Sequence, residues 1–351
     1  MHLKPFTLLM LILTVSLGCN QSNAKKQEEK SDQKAPSSVR LVQDEANLKV
    51  DVFFGSELFT SYRYTDAYYK PVLYPLITAS GKSLTRGYPI DPMPGERVDH
   101  PHHVGHWLNY GDVNGLDFWN HSDAIPADKK EGYGTVFHKS VRLDEANATL
   151  AVVAEWKAPD GTVLIEEHTA FTFSEEGNNR IIDRTTTLHA KTEVALTDNK
   201  EGFVAVRVTR ALEHPSKKPE IFTDANGIPS EVKVLNNEGV TGNYLSSEGI
   251  TGDAVWGTRA EWVALNGTIA DEAVAITIYD HPDNLGYPTY WHARGYGLFA
   301  ANPLGQKIFS KGAKELNASI ATGEALTFKY RIVVSNGAAV DAAAAAQFKN
   351  F

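Results

Sequence analysis

Hydrophobic and polar residues alternate with a period of two along most of the chain after residue 39. "TLAVVAEWKAPDGTVLIEEHTAFTF" reads as two strands joined at the turn "APDG". In the second strand Val163, Ile165, Phe171 and Phe173 share one parity, and Leu164, Glu166 and His168 share the other. "GFVAVRVTRAL" places Val204, Val206 and Val208 on one side, and Phe203, Ala205 and Arg207 on the opposite side. "EAVAITIYDHP" and "LTFKYRIVVSNG" repeat the pattern near the C-terminus, and "EEGNN", "LNNEG", "HPDN" and "SNG" mark turns. Only "AAVDAAAAAQF" has the composition of a helix. Many short strands and almost no helix predict an all-β protein with a large antiparallel β-sandwich, in its larger form a mutarotase-like supersandwich. The alternative is a cupin-like jelly roll. No internal repeat and no interior linker divides the text, so residues 39–351 are expected to form a single domain.

The first residues differ in kind. An apolar run from Phe6 to Leu17 follows Lys4 and is shorter than a bilayer-spanning helix, so residues 1–18 read as a signal peptide. Cys19, the only cysteine of the chain, follows Gly18 at the position expected for lipidation in a bacterial lipoprotein, and it excludes an intramolecular disulfide. Residues 19–38 are polar and charged, without aromatics, as in a disordered tether. Asn20 is not the aspartate that retains lipoproteins at the inner membrane, so the expected location is the outer membrane of the cell envelope. The 351 residues, 42% of them hydrophobic, suffice for a large core, and a net charge of −9 argues against a nucleic-acid partner.

Candidate chemistry gathers in a few irregular segments. "VDHPHHVGHW" holds four of the twelve histidines: His100, His102, His103 and His106. Pro101 and Gly105 oppose a helix, so His102 and His106 are not a zinc-protease pair. In an extended chain His100 and His102 share a side while His103 points away, a spacing that suits chelation. His100, His102 and His106 are therefore candidate ligands for a divalent transition metal such as zinc or manganese. Glu201 precedes a strand at a rim position, and Arg207 inside that strand requires a carboxylate, for which Glu201 and Glu166 are the candidates. Trp119, "AVWGTRAEWVAL" and "YWHARGYGLF" place tryptophans and tyrosines beside arginines in what read as loops, as a sugar-binding cleft requires. Candidate catalytic residues are His102, His103, Glu201 and His292. Candidate substrate-binding residues are Arg86, Trp119, Arg207, Arg259, Trp291, Arg294 and Tyr296.

"TRGYPIDP", "DHPHHVGHWLNYGDVNGLDFW", "KEGFVAVR", "WGTRAEWV", "IYDHPDNLGYPTYWHARGYGLFAANPLG" and "YRIVVSNG", in this order, resemble the bacterial "PmoA-like" family, whose function is unknown. Leu304 departs from the usual "ANPFG", a volume-similar change. The label "methane oxygenase PmoA" attached to that family is a misnomer for this chain, since no membrane-spanning run follows residue 18. The resemblance implies a β-sandwich and a secreted or lipid-anchored protein of bacteria that degrade polysaccharides.

Two functions of different class fit these features. The first is an envelope-anchored enzyme acting on a glycoside or an oxidised (keto-) sugar by elimination or hydrolysis, with histidine acid–base or metal assistance. The second is a non-catalytic carbohydrate-binding lipoprotein of a polysaccharide-utilisation system. The histidine cluster favours the enzyme, because a binding module has little use for four imidazoles in one loop.

Overall fold

A computed structural model describes His2 and residues 39–351; apart from His2, the segments read as a signal peptide and a tether, Cys19 among them, lie outside the described residues. Among the described residues the chain forms eighteen strands and two short helices. The first five strands are β1 (Val39–Asp44), β2 (Lys49–Phe54), β3 (Glu57–Arg63), β4 (Val72–Leu73) and β5 (His106–Tyr110). Long hairpins follow in β6 (Thr135–Asp144), β7 (Thr149–Lys157), β8 (Val163–Glu176) and β9 (Asn179–Ala190). Then come β10 (Val194–Leu196), β11 (Gly202–Arg207), β12 (Asn243–Ser246), β13 (Trp262–Ile269), β14 (Glu272–Asp280), β15 (Tyr290–Arg294) and β16 (Leu298–Asn302). Helix α1 (Gln306–Phe309), β17 (Ala318–Ile320), β18 (Ala325–Asn336) and the Ala-rich α2 (Ala342–Ala346) complete the chain.

The strands build two eight-stranded antiparallel sheets, ordered β1-β2-β3-β4-β5-β11-β16-β15 and β12-β13-β14-β18-β9-β8-β7-β6, with β10-β17 as a separate ribbon. This is the large antiparallel sandwich, not an eight-stranded jelly roll. Val50, Leu108, Val204 and Phe299 from the first sheet meet Leu150, Ile182, Ile276 and Ile332 from the second in one core. Each such fully buried side chain contributes about 1.5–3 kcal/mol. The alternation holds along most of β8: Ile165, Phe171 and Phe173 are buried, while Glu166 and His168 face water beside Lys139 and Lys191; at its start the order reverses, with Leu164 buried and Val163 partly exposed. Phe203 departs from it. Although expected on the Arg207 side, it packs on Phe328 in the core, with ring centroids 4.6 Å apart.

The first sheet has apolar groups on its other face too. Trp107 pairs with Ala205, Ala205 with Ala300, and Ala300 with His292, so these four residues form one row across β5, β11, β16 and β15. Arg207, Leu298 and Arg294 form the next row. Two adjacent alanines between a tryptophan and a histidine make a low floor. The loop between β4 and β5 covers it and carries the histidine segment. Gly105 turns that loop into β5 with φ of 55°, where a Cβ would collide with the Leu73 carbonyl.

Candidate functional site

Arg86 organises the histidine loop. It is almost fully buried and donates to the carbonyls of Arg97 (3.1 Å), Asp99 (2.7 Å), His100 (3.0 Å) and His103 (3.1 Å), and to the Asp99 carboxylate (3.0 Å). Expected to bind substrate, it has no terminal N–H left for a ligand and acts as a clamp. Lys70, which sequence reasoning missed, adds a bond of 2.7 Å to the His102 carbonyl; burial lowers its ammonium pKa to about 7. His100 lies in the left-handed region at φ 44°, which ends the extended alternation. His100 and His103 are consequently parallel, centroids 4.8 Å apart, and His102 stands edge-on to both.

Asp99, 108 residues from Arg207 in sequence, is the carboxylate that the buried arginine needs, at 2.5 Å. Neither Glu201 nor Glu166 fills that place: Glu201 pairs with Lys200, and Glu166 with Lys139, Lys191 and His168. Burial works against the Asp99 charge, but Arg207, the His100 bond and Arg86 together hold the carboxyl well below the usual range. Its second oxygen faces His100 Nδ1 at 2.7 Å. An ionised carboxylate only accepts, so Nδ1 donates to it, and in the neutral ring it is Nε2, on a half-exposed side chain, that offers the lone pair.

His103 has the opposite tautomer. A guanidinium only donates, and Arg207 Nη1 lies 3.3 Å from His103 Nδ1, so the His103 proton is on Nε2. Its ring stacks on Trp107 (5.4 Å) and lies edge-on to Trp119 (5.7 Å). Burial pushes the His103 imidazole pKa well down and His102 to about 2, so both are neutral near pH 7. Tyr296 stacks on His100 at 4.8 Å and receives the guanidinia of Arg207 (5.1 Å) and the exposed Arg294 (5.7 Å). At the end of the alanine row, His292 Nδ1 lies 3.9 Å from the Glu201 carboxylate, and burial lowers that imidazole to about 3. Among the described residues the buried atoms His102 Nε2, His103 Nε2, His292 Nδ1 and Trp119 Nε1 have no hydrogen-bond partner.

Several expected site residues lie elsewhere. His106 starts β5 and points into the core, its Nδ1 3.0 Å from the Ala205 carbonyl and its Nε2 3.4 Å from Arg184. It sits on the face of the sheet away from His103, so His100, His102 and His106 do not assemble as one ligand set. Among the described residues no group of three or more His, Cys, Asp or Glu is arranged to hold a metal ion. Arg259 donates from Nε and Nη2 to the carbonyls of Gly286, Tyr287 and Pro288, which ties that loop together. Trp291 faces the core and donates to Ala260 O at 3.0 Å. Trp107, Trp262 and Trp291 lie on strands, not in loops. The structure thus brings together Asp99, His100, His103, Arg207 and Tyr296, with His102, Trp119, Glu201, His292 and Arg294 around them. His100 as a base candidate needed its tautomer, which no sequence pattern carries.

Two cavities flank the loop. One of about 380 Å³ has Arg294, Tyr296, Trp256 and Arg97 on its walls. The other, of about 240 Å³, is lined by His102, Pro101, His121 and three tyrosines.

Residues 49–349 match the family of unknown function DUF6807. The chain belongs to that family. Its description assigns no activity and lends no support to the methane-oxygenase label. No curated protein matches the chain. Among solved structures it is similar to the GH36 alpha-galactosidase AgaB from Geobacillus stearothermophilus, at 13% identity and TM-score 0.40, over 85% of this chain and 41% of the galactosidase. A polysaccharide lyase is similar at 11% identity and TM-score 0.33, over 80% of this chain and 32% of the lyase. The Slr1438 protein from Synechocystis sp. PCC 6803 gives 9% identity and TM-score 0.31, over 85% and 95% of the two chains. The DUF6807 chain spans about two fifths of the length of the galactosidase. Among the described residues no helix is long and apolar enough to cross a membrane.

Proposed function

We propose that this DUF6807 protein is an acid–base enzyme acting on a sugar, with an oxidised (keto-) glycoside as the substrate that best uses its groups. The observation that carries the reading is the unpartnered ring nitrogens of His103 and His292, both neutral and buried, beside an Asp99–His100 dyad. Folded proteins rarely leave such atoms unpaired except where a ligand or a reaction uses them. In a keto-glycoside the carbonyl acidifies the neighbouring C–H. His100 Nε2 takes that proton, and Asp99 stabilises the imidazolium that forms. The electron pair moves onto the carbonyl oxygen, where His103 Nε2–H donates to the developing charge. As the enolate collapses, the C–O bond to the aglycone breaks, and the His100 imidazolium returns its proton to the leaving oxygen, which restores the neutral base. Tyr296 offers aromatic surface to a sugar ring, and Arg294 a donor for its hydroxyls, while Trp119 is fully buried behind His103.

Lipidation at Cys19 and an outer-membrane location belong to the same proposal, since an envelope position meets extracellular glycans. Mass spectrometry of the membrane-extracted protein tests them: a triacylated N-terminal Cys19 is expected, and a soluble, unmodified protein would remove them. The function is tested by incubating the protein with matched pairs of aryl glycosides and their 3-keto forms and following aglycone release. Release from the keto form, lost in His100→Gln, is expected. Tight binding of glycosides without any turnover would instead establish a carbohydrate-binding protein.

A further inference from the structure

The cavity of about 240 Å³ on the far side of the histidine loop has no part in the chemistry above. His121 is buried to 6% exposure on its wall. Its Nδ1 lies 3.0 Å from the Gly134 carbonyl and 3.1 Å from the Thr135 hydroxyl. The carbonyl only accepts, so Nδ1 carries the proton and Nε2 is a bare acceptor. That Nε2 is buried and has no partner. His102 brings a second unpartnered Nε2 to the same cavity. Asp123 is a third acceptor: Tyr69 donates to its Oδ1 at 2.6 Å, and among the described residues Oδ2 has no bond. Tyr69 also stacks on His121, with centroids 3.8 Å apart. Tyr68, Tyr88 and Pro101 supply apolar wall.

We propose that this cavity is a second carbohydrate site, which holds one pyranose ring through hydroxyls donated to His121 and Asp123. The chemistry selects the ligand. A bare imidazole nitrogen and a carboxylate want donors and repel anions. The tyrosine and proline wall wants an apolar ring face, which a pyranose offers together with several hydroxyls. The inference needs no turnover in the cleft across the loop, so the two readings fail separately.

The test is titration of the protein, labelled with 15N-histidine, with methyl glucopyranoside and methyl galactopyranoside, and with methylammonium as the competing donor. A glycoside is expected to move the His121 Nε2 resonance saturably. Loss of one such hydrogen bond weakens its affinity about tenfold in His121→Phe. Asp123→Ala at the exposed rim and Tyr68→Ala on the half-buried wall are expected to weaken it as well while His100 and His103 keep their wild-type spectra. Three outcomes overturn the proposal: glycosides that move only the His100 and His103 resonances, methylammonium that moves His121 while glycosides do not, or rim and wall variants with wild-type affinity.

Discussion

Two clusters on opposite faces of the first sheet are each built around a carboxylate, arginine and histidine. Inside, between the sheets, Glu167 accepts from Arg184 (3.1 Å), Thr169 (2.6 Å) and Trp156 (2.9 Å). Arg184 also reaches Thr186 at 3.0 Å and His106 at 3.4 Å, and His106 closes on the Ala205 carbonyl. None of these residues has an unpartnered buried side-chain atom. Outside, Asp99 joins Arg86, Arg207 and His100 in similar geometry, yet His102, His103, His292 and Trp119 are left with unpartnered nitrogens. Burial and charge are therefore not what mark a site in this molecule. The inner cluster is complete and holds the sheets in register; the outer one is complete only with something added. His106 and Trp107, adjacent on β5, belong one to each cluster.

The largest effect expected is on the inner cluster. Arg184→Leu leaves Glu167 buried without its cation, which costs about 3–5 kcal/mol in urea unfolding. The folded fraction is expected to keep wild-type turnover. In the outer cluster the effects exchange places. His100→Gln is expected to lower turnover by about 10²–10⁴-fold, the usual contribution of a general base, while the unfolding free energy stays within about 1 kcal/mol. A variant that lost both equally would erase the distinction.

Acid tests what the two clusters share. His106 and His292 are lowered to about 3, against about 6.5 in an unfolded chain. Between these values the unfolded state binds more protons than the folded one. Stability is then fully present above about 6.5 and falls with pH by about 1.4 kcal/mol per unit for each histidine. Asp99 loses its contribution only below the ordinary carboxylate range. Unfolding at pH 7.5 and 5.5 is expected to show this slope, reduced in His106→Gln. A smaller effect separates the two arginines taken together from sequence. Arg294→Met raises KM with stability inside about 0.5 kcal/mol, because the side chain is exposed. Arg259→Met costs about 1–3 kcal/mol by unpairing the carbonyls of the 286–288 loop, and KM is expected to hold. Least of all, Glu166→Gln on the solvated face of β8 shifts stability by no more than about 1 kcal/mol.

The strands were legible because a period of two is a local signal, and the β7–β8 hairpin falls where the turn "APDG" puts it. The histidine loop was legible by its density of imidazole. Its internal order was not: a single left-handed residue, His100, undid the extended alternation that paired it with His102. The partner of Arg207 was invisible for a different reason. Asp99 meets it only because the loop folds back over the sheet, and Glu201, closer in sequence, turns to Lys200. Arg86, Arg259 and Trp291 have the side chains of a sugar site but spend their donors on backbone carbonyls, which composition does not record. His121, beside Trp119 in the text, gave no pattern of its own and emerged only from its unpaired nitrogen.

The measurement that tests the contrast most directly is a pair of variants, His103→Gln and His106→Gln, each read for urea unfolding and for aglycone release from a keto-glycoside. The account predicts that His103→Gln loses turnover and keeps its stability, whereas His106→Gln loses stability and, where folded, keeps its turnover. Equal loss of stability in both, with turnover unchanged in His103→Gln, would contradict it and make the outer cluster another piece of the scaffold.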